Sequence, residues 1–329
     1  MSGRAEAAGA GAPPKRLEIV APAKLNLALL VGPRRRDGYH EVFSLMLPVS
    51  LADIVTAEGA DEGVSVLCDV CPGEDNLAAQ AVRALEEAAG RSLPLRLSIE
   101  KRIPHGAGLG GGSSDAAAAL RAADRLYDLH TPTSVLYRVA AGLGADVPFF
   151  LWPGVQIAMG RGTALSPLEL PGPLDLVVAA PELVLPTADV YGWRDAETVV
   201  GLPEFAARAA RLRAQLQAMR RPADLAGLIE NDLQPHVVAR HPVVGELIGR
   251  LREHGALAAA MSGSGSSVFG LFAGSDAAAD AAAALRAWAA ELPSGAGRGS
   301  AGRDAAADGR PGLRVFQVGD LQPLSVADD

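Results

Sequence analysis

The chain is 329 residues long, 49% hydrophobic and 21% charged, with a net charge of -8. That is enough apolar material for one large domain or two ordinary ones, and the acidic balance argues against a nucleic-acid binder relying on bulk charge. No apolar run is long and unbroken enough to span a bilayer.

Residues 1–15 are Ala/Gly-rich and lack a basic segment followed by an apolar core, so they read as a disordered tail and not as a signal peptide; the cytoplasm is the expected location. A first strand is predicted at 17–21. The next, 23–31, alternates, with Leu25, Leu27 and Leu29 on one face and Lys24, Asn26 and Ala28 on the other. An arginine-rich turn at 33–38 precedes Tyr39 and His40, and further strands are expected at 45–49, 53–57 and 64–68. Cys68 and Cys71 form a single C-x-x-C. With no further zinc ligands nearby and a turn-like Pro72-Gly73 after it, the pair reads as two reduced thiols at a strand end. A helix is predicted over 78–89, closed by Gly90, then a strand over 95–100.

Residues 104–114 (PHGAGLGGGSS) lie between that strand and a helix predicted over 115–127, with Ala116, Leu120, Ala123 and Tyr127 on one stripe. A loop so rich in glycine leaves backbone N–H groups uncovered and feeds a helix N-terminus, where more N–H groups lack partners and the dipole is positive. That is an anion cradle, and phosphate is the usual anion. The stretch 106–111 matches G-x-G-x-x-G, but residues 101–104 separate it from the strand and a second helix, 134–142, follows the first, unlike a dinucleotide-binding unit. It also lacks the Gly-Lys-Ser/Thr of a Walker A loop.

Asp146, after that glycine-ended helix and before an apolar run, is the candidate base for phosphoryl transfer, although its local sequence alone favours a helix-capping or turn aspartate. Lys24 is the candidate cation, though a lysine on the polar face of a strand is ordinarily just solvated. Strands follow near 155–159 and over 174–179. A second region starts near Leu165, with helices over 204–219 and 242–254. Strands at 256–260 and 268–272 flank a Gly/Ser segment, 261–267, and a helix over 276–292 comes next. Residues 293–312 are of low complexity and read as a disordered insertion before a last strand, 313–318. Strands and helices mix without regular βα alternation, which points to an α+β fold in two lobes. His236 and His241 read as surface residues.

Three stretches in order, 21–27 (APAKLNL), 104–114 continuing Asp-Ala-Ala, and 261–269 (MSGSGSSVF), resemble the motifs of the GHMP kinases, a family of small-molecule kinases. Arg36-Asp-Gly-Tyr-His40, Glu74-Asp-Asn-Leu77, Lys101-Arg-Ile-Pro104, Leu143-Gly-Ala-Asp-Val-Pro148 and Pro186-Thr187 with Tyr191 resemble more narrowly the branch acting on a cytidine-diphosphate-linked methylerythritol.

The resemblance implies a two-lobed fold, with a ribosomal-protein-S5-like N-terminal lobe (16–164), a ferredoxin-like C-terminal lobe (165–329), and the active site in the cleft. It implies ATP-dependent phosphorylation of that substrate's 2-hydroxyl on the non-mevalonate route to isopentenyl diphosphate. Lys24 and Asp146 would be the catalytic pair. ATP would be bound by Pro104, His105, Gly106, Ala107, Gly108, Leu109, Gly110, Gly111, Gly112, Ser113 and Ser114, with Lys101 and Asn76 near its nucleoside. Tyr39 and Tyr191 would stack on the cytosine, His40 would bond its edge, and Asn26 and Thr187 would complete the substrate site. The third motif would brace the glycine loop. Mg2+ would bridge the phosphates, its protein ligands unknown from sequence. The expected partner is a small molecule, not nucleic acid or a membrane, and the chain would act as a monomer or homodimer. The alternatives are another member of the family, of homoserine or mevalonate type, or a non-catalytic nucleotide- or RNA-binding module. His105 stands where the family's loop often has an apolar residue.

Overall fold

The computed structural model describes residues 16–291 and 312–321; the expected tail and all of the expected insertion before Gly312 lie outside the described residues. In chain order the first elements are β1 (Arg16–Arg34), β2 (His40–Gly59), β3 (Val64–Leu67), α1 (Leu77–Ala89), β4 (Leu95–Glu100), α2 (Gly111–Leu126), α3 (Thr133–Leu143), β5 (Gln156–Gly160) and β6 (Ala164–Pro167). Then come β7 (Asp175–Pro181), α4 (Thr187–Glu197), α5 (Leu202–Ala218), β8 (Glu230–Asn231), α6 (Gln234–Arg240), α7 (Pro242–Glu253), β9 (Ala258–Met261), β10 (Val268–Phe272), α8 (Ser275–Glu291) and β11 (Leu313–Gly319).

The strands expected separately at 17–21 and 23–31 are one strand, β1, and those at 45–49 and 53–57 are one strand, β2. A register shift between Pro22 and Ala23 accommodates the proline, which has no N–H to give to the ladder. A second shift leaves Leu27 unpaired between Asn26, opposite Met46, and Ala28, opposite Leu45. This bulge reverses the alternation. Leu25 and Leu27 share one cluster with Ala28 and Leu30, while Leu29 and Val31 join another. The expected grouping of Leu29 with Leu25 and Leu27 is therefore corrected, because one extra residue flips every side chain beyond it. The hairpin turn is held by Asp37, which accepts from Tyr39 N and from the Arg35 guanidinium.

The larger sheet runs β3-β4-β2-β1-β8, with β5 paired to β2 and β6 to β5. The start of β2 pairs with β5 and its end with β4, so the two halves of one strand serve different neighbours. Helices α1 and α2 cover this sheet. Asn76 caps α1 by accepting from Ala78 N, and Gly90 closes it at φ 63°. The expected stripe on α2 understates its burial: Ala116 to Leu120, Ala122 and Ala123 are all buried. A helix buried over most of its surface lies inside the fold, and alanine lets its neighbours approach closely.

The second sheet, β11-β7-β10-β9, is wholly antiparallel. With helices between β7 and β9 and between β10 and β11, it has the split β-α-β of ferredoxin-like folds. On β7, Leu176 and Val178 face the cluster shared with the first sheet, whereas Val177 and Ala179 face α7 and α8. On β10, Phe269 and Leu271 take the first side and Val268 and Phe272 the second. Covering both faces explains why these strands read as unbroken apolar runs. His236, expected at the surface, is buried at 8% exposure on α6 with Nδ1 against Glu197, which also accepts from Arg240. Its spacing from His241 carries no metal meaning.

Candidate active site

The glycine stretch ends earlier than expected. Gly110 is the N-cap of α2 at φ 73°, with no side-chain cap, so residues 111–114 form the first helical turn. Gly106 and Gly108 also have positive φ. At Gly108 a Cβ would meet the carbonyls of Ser262 and Gly265 at 2.6 and 2.7 Å. Only glycine satisfies both that conformation and that contact. The Gly/Ser segment braces the loop: Ser267 N donates to Ala107 O at 3.1 Å, and Ser262 Oγ lies 3.5 Å from Gly108 O. On the loop's other side Lys24 N donates to Leu109 O at 2.9 Å.

A cavity of about 780 Å³ runs from this loop across β1 and β2 to α4. Residues 104–113 line one end, and Tyr39, His40, Arg161, Tyr191 and Asp195 the other, with Lys24, Asn26, Ser44 and Asp146 between them. Lys24 is buried, and its Nζ lies 3.6 Å from Asp146 Oδ2. It also donates to Asn26 Oδ1. Asn26 Nδ2 donates to Ser44 Oγ at 2.7 Å, and Ser44 donates on to Ala28 O at 2.9 Å. A buried ammonium is costly unless paired. Here it has a carboxylate and an oriented amide, and the Asp146 carboxylate faces the cavity at 38% exposure.

At the aromatic end, His40 Nε2 lies 2.9 and 3.0 Å from the two oxygens of Asp195. The rings of His40 and Tyr191 are 5.0 Å apart. Burial, with Asp146 and Asp195 nearby, raises the Tyr191 hydroxyl well above the usual phenol range, so it stays neutral. Arg161 stacks its guanidinium over the exposed Tyr39 ring at 5.6 Å. Thr187 Oγ1 is 3.1 Å from Ser264 Oγ, joining α4 to the Gly/Ser segment.

Lys101 Nζ pairs with Asp53 and with Asp115 Oδ2, the latter at 2.7 Å, inside the fold beside the loop. Burial alone would lower the Lys101 ammonium, but the two carboxylates outweigh it and the result is raised. Burial pushes Asp115 up to about 7, helped by Asp53 and opposed by Lys101. Asp53 is spoken for twice more, accepting from Arg102 N and Ile103 N, which ends β4 and turns the chain into the loop.

Two family models match the chain: the GHMP kinases N terminal domain over residues 76–154 and the GHMP kinases C terminal domain over residues 206–291. A 4-diphosphocytidyl-2-C-methyl-D-erythritol kinase from Anaeromyxobacter dehalogenans (strain 2CP-C) is 44% identical over 279 residues, which are 82% of this chain and 85% of the relative. The kinase of the same name from Thermus thermophilus is 43% identical over 87% of this chain and 98% of its own. The chain belongs to this branch of the GHMP kinase family. A crystal structure of 4-(cytidine 5'-diphospho)-2C-methyl-D-erythritol kinase superposes with a TM-score of 0.70 at 38% identity, covering 93% of this chain and 100% of the other.

In this GHMP kinase the expected residues Lys24, Asn26, Tyr39, His40, Lys101, Asp146, Thr187 and Tyr191 and the loop 104–113 all border one cavity. Ser114 and Asn76 do not border it. The Ser114 hydroxyl is buried without a hydrogen-bond partner among the described residues. Asn76 has both halves of its amide engaged, Oδ1 with Ala78 N and Nδ2 with Cys71 O. Cys68 and Cys71 are free thiols. Sequence reasoning missed Ser44, Asp53, Asp115, Arg161 and Asp195. Only Asp195 left a local signal: it stands four residues after Tyr191, on the same face of α4.

Among the described residues no group of three or more His, Cys, Asp or Glu could hold a metal ion. The cavity does offer the oxygen donors Asp146 and Ser113 near the loop. That donor set fits a hard cation carried chiefly by phosphate oxygens, and does not fit a dedicated protein cage.

Proposed function

We propose that the protein transfers the γ-phosphoryl group of ATP to the 2-hydroxyl of 4-diphosphocytidyl-2-C-methyl-D-erythritol, giving the 2-phosphate and ADP in the cytoplasm. The observation that carries this reading is the Lys24–Asp146 pair, 3.6 Å apart, midway along a cavity with a glycine loop at one end and paired aromatic residues at the other.

The loop's uncapped N–H groups and the positive end of α2 suit a triphosphate. The loop has no lysine of its own. Positive charge comes from the helix terminus and from Lys24, and Mg2+, which Ser113 and Asp146 on the cavity wall would help to hold, would supply charge neutralisation when bound to the phosphates. Tyr39 and Tyr191 hold the cytosine by its faces and His40 by its edge, which brings the tetritol to Asp146. Asp146 accepts the 2-hydroxyl proton as that oxygen bonds to the γ-phosphorus and the bond to the bridging oxygen of ADP breaks. Lys24 orients Asp146, and Asn26 with Ser44 keeps Lys24 in place. Much of the rate then comes from alignment of two bound substrates.

The test is a panel: purified protein, ATP and magnesium with the cytidine substrate, homoserine or mevalonate, followed by phosphorus NMR. Phosphorylation of the cytidine substrate alone is expected. Turnover of homoserine or mevalonate in its place would overturn the reading.

A further inference from the structure

His40 has one ring nitrogen committed and one open. Its side chain is 7% exposed, and Nε2 sits almost equally far from both oxygens of Asp195, at 2.9 and 3.0 Å. A carboxylate can only accept, so Nε2 carries the proton it donates. Nδ1 has no hydrogen-bond partner among the described residues, while His40 borders the cavity. In a neutral imidazole whose Nε2 is protonated, Nδ1 is an acceptor.

Asp195 is itself held. Arg194, 3% exposed, donates to the carbonyls of Val31 and Gly32 on β1 and lies 3.3 Å from Asp195 Oδ1. The guanidinium thus ties the last turn of α4 to the strand that carries Lys24. One helix therefore addresses His40 twice, by the Tyr191 ring beside its own and by the Asp195 carboxylate at its Nε2. A histidine with a carboxylate on one nitrogen and an open site at the other is a group whose tautomer is imposed from behind.

We propose that Asp195 is a positioning residue for base selectivity: by keeping the His40 proton on Nε2 it leaves Nδ1 as an acceptor, which takes the 4-amino group of cytosine and rejects the 4-carbonyl of uracil. The proposal rests on the cytidine reading above. Cytosine and uracil have the same shape and stack equally well between tyrosines, so stacking cannot separate them. They differ along one edge: position 4 is a donor in cytosine and an acceptor in uracil, and N3 is the reverse. Against an acceptor, the 4-amino group forms a hydrogen bond and the 4-carbonyl sets two lone pairs face to face. A site built around one hydrogen bond rejects the analogue that lacks it more strongly than an apolar pocket rejects a change of size.

The experiment uses the full-length protein with two substrates, the cytidine diphosphate compound and its uridine counterpart, in the wild type, Asp195→Asn and Asp195→Ala. The asparagine amide can turn its N–H toward Nε2, which moves the histidine proton to Nδ1; the alanine leaves the tautomer free. The wild type should favour the cytidine substrate by about 10²-fold or more in kcat/KM. In both variants the ratio should collapse to roughly tenfold or less, with the loss in KM for this substrate and KM for ATP unmoved. Nitrogen-15 NMR of labelled imidazole gives a second, substrate-free readout. His40 Nδ1 should be unprotonated in the wild type and gain a proton in Asp195→Asn. Equal losses for both substrates would mean a merely structural Asp195 and overturn the proposal, as would a protonated Nδ1 in the wild type. Failure of the wild type to use the cytidine substrate at all would instead sink the functional reading, and the NMR result would still decide the tautomer.

Discussion

At its glycine end the cavity is walled by the backbone of one unbroken stretch, 104–113, while at its aromatic end it is walled by side chains from three separated segments: Tyr39 and His40, Arg161, and Tyr191 with Asp195. The first end offers N–H groups that every residue possesses, and needs only glycine to uncover them. The second depends on which side chain stands where and on what holds it. The contrast is a division of labour, in which the glycine end depends on backbone conformation, with glycine required at Gly108, and the aromatic end depends on side-chain identity.

Four substitutions test that contrast, in decreasing order of expected effect. Asp146→Asn belongs to neither end, and should lower kcat by about 10³-fold while leaving ATP and substrate affinity nearly intact; a kcat within a few-fold of wild type would remove Asp146 from proton transfer. At the glycine end, Gly108→Val forces a Cβ to within 2.6 Å of the Ser262 carbonyl at φ +77°. The strain is on the order of 1–3 kcal/mol, and KM for ATP should rise on the order of 10²-fold while cytidine-substrate affinity, read by calorimetry, stays close to normal. Tyr191→Ala should invert that pattern. Losing one stacked face is worth about 1–3 kcal/mol, so KM for the cytidine substrate should rise roughly tenfold with ATP unaffected. If Gly108→Val and Tyr191→Ala each raised both KM values equally, the two ends would not be separable.

The smallest effect concerns the charges beneath the loop. Asp115 is raised from its ordinary 3.8 to about 7, so between those values the folded protein holds a proton that the unfolded chain has released. The stability this contributes is fully present below about pH 4 and is lost as pH rises to about 7. Asp115→Asn carries no such proton. Its Tm relative to wild type should therefore climb by a few degrees as pH goes from about 4 to 7. A pH-independent difference would show that Asp115 is ionised throughout.

The same contrast explains what was legible in the sequence. The loop was readable because its chemistry is contiguous: five glycines, a helix start, and a strand before it. The strand β4 before it was readable too, from clean alternation, and so was α1 before that, from the Gly90 that closes it. The aromatic end was reachable only through family resemblance, since nothing local to Tyr39 or Tyr191 says that α4 folds over the start of β2. Lys101 shows the limit in another way. The residue borders the cavity as expected, yet its ammonium is occupied by Asp53 and Asp115, respectively 48 positions before and 14 after it. Long-range pairing of that kind leaves no periodic trace. The bulge at Leu27 was invisible for a different reason: a leucine-rich strand alternates just as well with one residue too many.

That extra residue makes β1 behave like a reading frame. Upstream of it, even-numbered side chains, Lys24 and Asn26, meet the cavity; downstream, odd-numbered Leu29 does. Point changes at Leu27 would disturb only local fit. Losing that extra residue itself would leave Asn26 opposite Met46 and Ala28 opposite Leu45 in an unbroken ladder, whereas a one-residue deletion beyond it, at Leu29, would present Leu30 where Leu29 now packs. Beyond the bulge, the length of this strand, more than the identity of most of its residues, is therefore what drift in the gene can least alter.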